Sequence, residues 1–193
     1  MKTSFFILWL AGMSAGCMCS PPERPDDPFP PGDRVIFCFD QNADLGCWKI
    51  QNDGSGTGCP HGSLAINEAG NAVFSGSQGR EANDGFSSMR HEFEPIGVSN
   101  YRAVVLGLKG DGRTYQLRVA VRPNDSPAYA CDFQTSGCWQ TVEIPFANLT
   151  AIQRGTQLNP PSYPGQVLAQ IQLLAVDGTP ESFRLEIDKI WLE

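Results

Sequence analysis

Histidine is scarce in this chain: only His61 and His91 occur in 193 residues. The seven cysteines never stand at C-x-x-C spacing, and no Gly-x-Ser-x-Gly elbow is present. A zinc finger needs four closely spaced Cys or His ligands, and a nucleophilic triad needs a base beside its nucleophile. Neither pattern can be assembled. Basic residues are also few, 14 against 21 acidic, for a net charge of −7. Such a surface repels duplex nucleic acid, and no Lys/Arg cluster offsets it. The roughly 18 consecutive apolar residues of a membrane-spanning helix are missing, as is any stretch of about a dozen residues with an unbroken helical stripe.

What is present begins with "MKTSFFILWLAGMSAGC": one basic residue, the apolar run Phe5–Met13, then Ser14, Ala15 and Gly16 before Cys17. This is the anatomy of a secretory signal. The Ala-Gly-Cys ending also resembles a bacterial lipobox, with Ser14 in place of the usual Leu; Cys17 would then carry lipid. A plain signal peptide cut nearby is the alternative, giving a secreted or periplasmic soluble protein. Six prolines between Pro21 and Pro31 predict an extended spacer. The expected organisation is therefore a signal over residues 1–16, a tether over 17–33 and one domain over 34–193, placed at a bacterial cell envelope through a lipid anchor.

If Cys17 is lipidated, six cysteines remain in an exported chain, and disulfides are the default. Six allow 15 pairings, which sequence does not choose among. Cys131 with Cys138, along one apparent hairpin, and Cys47 with Cys59, around a Gly-rich loop, are the favoured pairs.

From Arg34 onward the pattern is that of an all-β domain. "RVIFCF", "NAVFSG", "YRAVVLGLKG", "TYQLRVAV", "CWQTVEIPF", "VLAQIQLLAV" and "FRLEIDKIWL" are rich in β-branched and aromatic residues and separated by Gly, Pro, Asn and Asp. Tyr115, Leu117, Val119 and Val121 alternate with Gln116, Arg118, Ala120 and Arg122. Short strands at this spacing predict a sandwich or barrel. "LGLKGDGRTYQL" places Asp111-Gly112 between two strands, which reads as a tight hairpin turn; the Walker and EF-hand spacings are both absent.

"LGLKGDGRTYQLRV", "CDFQTSGCWQTVEIPFANL" and "SFRLEIDKIWL", preceded by "ADLGCWKIQNDG", "AVFSG" and "DGFSSMR", closely resemble the CIA30 family (complex I intermediate-associated protein 30 domain) in order and spacing. The resemblance implies a galactose-binding-like jelly-roll β-sandwich and a non-catalytic assembly or interaction role with a protein partner. The family's usual "NDGVMGG" is "NDGSGTGC" here, and the export signal and cysteines do not suit a reducing mitochondrial matrix. The fold carries over better than the complex I role.

The alternative is a carbohydrate-binding module with a glycan partner, for which Tyr163 in "NPPSYPGQ" and Trp48 are the candidate stacking rings. Carbohydrate modules of this fold also hold a structural Ca2+, and the positions of Asp40 and Asp188 are comparable. No other cofactor and no catalytic residue is expected; Asp111, Glu143, Glu186 and Asp188 read as turn or solvent-face carboxylates.

Overall fold

The computed structural model describes residues 34–53, 60–77, 86–123, 128–153, 156–176 and 182–193. The signal segment, Cys17, the tether and Cys59 lie outside them. The described residues form thirteen strands: β1 Arg34–Cys38, β2 Trp48–Asp53, β3 His61–Ile66, β4 Ala72–Ser77, β5 Phe86–Gly97, β6 Ala103–Lys109, β7 Thr114–Ala120, β8 Ala128–Gln134, β9 Trp139–Pro145, β10 Thr150–Gln153, β11 Thr156–Ser162, β12 Val167–Ala175 and β13 Ser182–Leu192. The only helical pieces among them are 3-10 turns at Leu45–Cys47 and Phe146–Asn148.

Two antiparallel sheets face each other. One runs β3-β4-β13-β6-β9, with β1 continuing beside β13; the other runs β11-β10-β8-β7-β12-β5-β2. Between them lies a single main core that includes Phe39, Phe74, Met89, Leu106, Tyr115, Leu117, Ile171, Phe183 and Leu185, all fully buried. Period-two alternation creates the two faces of each strand, because successive side chains on a pleated backbone point opposite ways. On β13, Phe183, Leu185 and Ile187 point inward; a bulge between Ile187 and Lys189 then resets the phase, so that Ile190 and Leu192 remain inside. The sequence spacing Ile187-x-x-Ile190 is the trace of that bulge.

The "KGDGR" segment is a turn, but it does not close a hairpin. β6 pairs with β9 and β13, whereas β7 pairs with β8 and β12, so the chain crosses from one sheet to the other here. Gly112 takes a positive φ of 90°, which an L-residue with a side chain rarely adopts. Gly110 is required for a different reason: a Cβ there would stand 2.2 Å from Thr135 Oγ1. Thr135 belongs to the parallel crossing from β8 to β9, and the two crossings are bonded to each other through Gly110 N to Ser136 O at 3.1 Å and Thr135 N to Arg113 O at 3.0 Å.

Asp111 fastens the corner. Its carboxylate accepts from Arg113 N at 3.2 Å, from the buried Tyr115 hydroxyl at 3.2 Å and from Arg184 N at 2.7 Å. Arg184 lies on β13 just beyond the last residue that β6 pairs, so the Asp111 side chain takes over where the neighbouring strand stops.

The same topology corrects the expected disulfides. Cys131 sits on β8 and Cys138 immediately precedes β9, in opposite sheets, so there is no hairpin to bring them together. Cys131 and Cys47 are free thiols. Neither the Cys131–Cys138 nor the Cys47–Cys59 pair is formed, and Cys138 is bonded elsewhere.

Candidate functional site

Both rings expected to stack on a sugar belong to the core. Tyr163 is 5% exposed; its hydroxyl donates to Val167 O at 2.6 Å, and its ring stands edge-on to Phe146 and Tyr129. Burial drives its phenol pKa upward, as expected of a packed tyrosine. Trp48 is 6% exposed, stacked on His91 and flanked by Phe37 and Phe39. The Nδ1 of His91 lies 3.1 Å from Cys47 O, and burial lowers the imidazole pKa. Large aromatics fill a sandwich core readily, and nothing in the spacing marked these two as surface rings.

The two acids considered for calcium lie close in the fold, since Phe39 N donates to Asp188 O at 2.8 Å. Asp40 is already used locally, accepting from Asn42 N at 2.7 Å. The nearby carbonyls of Asn67 and Glu68 accept from the Gln41 amide at 3.0 and 2.7 Å. Among the described residues no group of three or more His, Cys, Asp or Glu converges as a metal site. Two carboxylates, Asp40 and Asp188, are thus the acidic donors on hand for the expected calcium among the described residues.

The other carboxylates are structural. Asp111 fastens the corner, Glu186 accepts from Asn67 and Arg184, and Glu143 pairs with Arg102.

The outer face of the seven-stranded sheet is different in kind. The registers place Lys49, Gln51 and Asp53 from β2, Ser88, Arg90 and Glu92 from β5, and Gln170 and Gln172 from β12 on this face. Gln116 and Arg118 from β7, Asp132 from β8 and Thr150 from β10 continue it. A solvent face is ordinarily a set of independent, freely rotating polar side chains; this one is wired together. Arg118 Nε donates to Gln116 Oε1 at 2.6 Å, and Gln116 Nε2 donates to Asp132 Oδ1 at 2.6 Å. Gln172 Nε2 donates to Ser88 Oγ at 2.9 Å, and Gln51 Nε2 donates to Asp53 Oδ1 at 2.9 Å. Glu92 joins Lys49 and Arg90 at 2.8 and 3.2 Å.

Gln170 and Gln172 are only 5% and 8% exposed although they point away from the core, so the middle of the face is recessed. The Arg118 guanidinium lies 5.1 Å over the Phe86 ring, and burial lowers its pKa while Asp132 and Asp53 raise it. At the β8–β10 end the face opens into a cavity of about 280 Å³. Three cations (Lys49, Arg90, Arg118) balance three carboxylates (Asp53, Glu92, Asp132), so this recessed strip carries no net charge among the described residues.

Residues 37–187 match the family of complex I intermediate-associated protein 30. The chain belongs to the CIA30 family. No curated protein matches this CIA30 chain significantly. Among solved structures, the family 11 carbohydrate-binding module from Clostridium thermocellum in complex with a β-1,3-1,4-mixed-linked tetrasaccharide has a TM-score of 0.61 at 15% identity, covering 83% of this chain and 95% of the module. The same module of the cellulosomal cellulase Lic26A-Cel5E gives 0.61 at 15% identity, covering 83% and 94%. The agarase AgWH50C shares the fold at 0.54 and 8% identity, covering 84% of this chain and 24% of the enzyme. The CIA30 domain is thus a galactose-binding-like β-sandwich of the kind used by carbohydrate-binding modules.

Sequence reasoning set Gln116 and Arg118 on one strand face but assigned them no role. The clearest available signal was "VLAQIQLLA", where two glutamines interrupt an otherwise apolar central strand.

Proposed function

We propose that this CIA30 domain is an exported, lipid-anchored, non-catalytic binding domain, and that its ligand is a glycan lying along the outer face of the seven-stranded sheet. Family membership and fold support a non-catalytic binding domain. The wired polar strip carries the glycan reading. A hydroxyl-rich ligand is held by amides, guanidinium groups and carboxylates, and binding is tighter when these are ordered beforehand, because less rotamer entropy is lost on association. A protein-binding surface of similar extent would have an aromatic, charge-depleted centre. At its centre this face has Gln170, Gln172 and Ser88, with Arg90 and Arg118 on either side of Gln172 and one buried apolar residue, Leu174.

The family's name favours a second reading, a protein-assembly factor, and one experiment separates the two. The full chain is run through native gels containing mixed-linked β-glucan, xyloglucan or agarose. Retardation by at least one, abolished by Arg118→Gln and by Gln172→Ala with the fold intact, supports the glycan reading. Unretarded migration in all of them, together with stoichiometric complex formation with a purified envelope protein, refutes it.

The anchor is tested separately: Cys17→Ser is expected to move the protein from the membrane fraction to the soluble one. A wild-type chain that is already soluble refutes lipidation.

A further inference from the structure

The cavity at the β8–β10 end of the strip differs chemically from the rest of the face. It is lined by Gln116 of β7, Ala130, Cys131 and Asp132 of β8, Asn148 of the second 3-10 turn, and Thr150 and Ile152 of β10. Its volume, about 280 Å³, falls just below the range of pockets that hold drug-sized ligands, and suits a ring of roughly a dozen heavy atoms. We propose that this cavity is a subsite for one neutral pyranose unit, with Asp132, Gln116 and Asn148 reading its hydroxyl groups and Ala130 and Ile152 supporting its C–H face. The proposal rests on the glycan reading of the sheet face and names the part of it that selects the sugar.

Three observations support it. First, the polar groups are fixed in sense. With its oxygen accepting from Arg118 and its nitrogen donating to Asp132, the Gln116 amide has one orientation, and the Asp132 carboxylate is held by it. A fixed carboxylate accepts from two neighbouring sugar hydroxyls, and charge-assisted bonds of this kind are stronger than neutral ones. Thr150 Oγ1 donates to Ala130 O at 3.3 Å, so its oxygen is left as an acceptor. The Asn148 side chain, on the exposed rim, offers both a donor and an acceptor.

Second, the lining holds one ionised side chain, and it is an anion. The nearest strand neighbour with a cation, Arg118, is turned to Gln116 and to the Phe86 ring instead. A uronate or sulfated sugar would meet the Asp132 carboxylate directly, whereas Arg118 acts there only through space, its guanidinium being bonded to Gln116; a neutral sugar meets only acceptors and donors that it can satisfy. Third, the lining has no aromatic ring, so recognition here runs through hydrogen bonds, which distinguish hydroxyl configuration more sharply than stacking does.

The test uses the full chain, with mixed-linked β-glucan, xyloglucan and agarose as neutral probes and alginate as the anionic probe, measured by affinity electrophoresis and titration calorimetry. Asp132→Asn keeps the shape and removes the charge; Asn148→Ala changes an exposed side chain. Glu143→Gln, on the opposite sheet, is the control. The expected result is binding of at least one neutral polysaccharide over alginate, weakened about tenfold or more by Asp132→Asn and severalfold by Asn148→Ala, and unchanged by Glu143→Gln. If a neutral polysaccharide binds with full affinity to both variants while Arg118→Gln abolishes binding, the subsite is refuted and the glycan face stands. Tighter binding of alginate refutes the neutral class. If wild type binds none of the four, the glycan reading falls and the subsite with it.

Discussion

Asp111 offers the most direct test of the reading that "KGDG" is an architectural corner. Asp111→Ala removes the acceptor for Arg113 N, for Arg184 N at 2.7 Å and for the Tyr115 hydroxyl. Tyr115 is fully buried, so its hydroxyl loses its acceptor, at a cost of about 1–3 kcal/mol. The backbone donors lie nearer to water and recover part of their bonding; together they add about 1 kcal/mol. The expected destabilisation is about 3 kcal/mol, which for a domain of this size lowers the melting temperature by about 6–12 °C.

Tyr115→Phe removes the donor and leaves Asp111 its other partners, so it is expected to cost about 1 kcal/mol. In the Tyr115→Phe background Asp111→Ala is expected to cost about 2 kcal/mol less than in wild type, and chemical denaturation of the four proteins measures that coupling. Additive effects would refute the contact. A melting shift under about 2 °C for Asp111→Ala would refute the corner as a whole. A calcium-induced rise in melting temperature that disappears in Asp111→Ala would make Asp111 a metal ligand instead.

Tyr163→Ala is expected to destabilise the domain by about 3–5 kcal/mol, because a buried ring and its bond to Val167 O are lost, and a thermal melt reads this directly. Arg118→Gln is expected to abolish glycan binding with little change in melting temperature, since Gln116 and Asp132 remain solvent-accessible; calorimetry against whichever polysaccharide retards the wild type checks it. His91 is held neutral by burial, so its folded pKa lies below its unfolded value near 6.5. The unfolded chain therefore binds the extra proton first, and stability present above that pH is lost as the pH falls through it. Melting temperatures recorded from pH 7.5 to 5 are expected to fall, and His91→Phe, which keeps the stack on Trp48, is expected to flatten the slope. Equal slopes would show that His91 does not set the acid response.

The strands that sequence reading found and those it passed over differ in a physically consistent way. β6, β7, β12 and β13 bury a full face, so they stood out as apolar or alternating runs. β5, "FSSMRHEFEPIG", is the longest strand of the seven-stranded sheet, yet its outward positions carry Ser88, Arg90 and Glu92 and its inward ones include Ser87 and His91. A strand polar on both faces has no hydrophobic period to read. β8, with Tyr129, Cys131 and Phe133 inward and Asp132 and Gln134 outward, does alternate, but over a short span with small residues at Ala128 and Ala130. These are strands that build the polar strip, so the elements most relevant to binding were the least visible.

By itself the sequence determined the all-β class, the family, and the need for glycine and aspartate at the "KGDG" turn, because alternation and φ > 0 chemistry are local properties. Tertiary structure alone decided which strands the turns join. A turn between two strands looks the same whether it closes a hairpin or carries the chain across the core, and only pairing with distant strands separates the cases. That choice put Cys131 and Cys138 in different sheets, sent Trp48 and Tyr163 into the core, and gathered Gln116, Arg118, Asp132 and Gln172 from three strands onto one recessed face. Hydrogen bonds between residues 16 or more positions apart in the chain, such as Gln116 with Asp132 and Gln172 with Ser88, depend on that register.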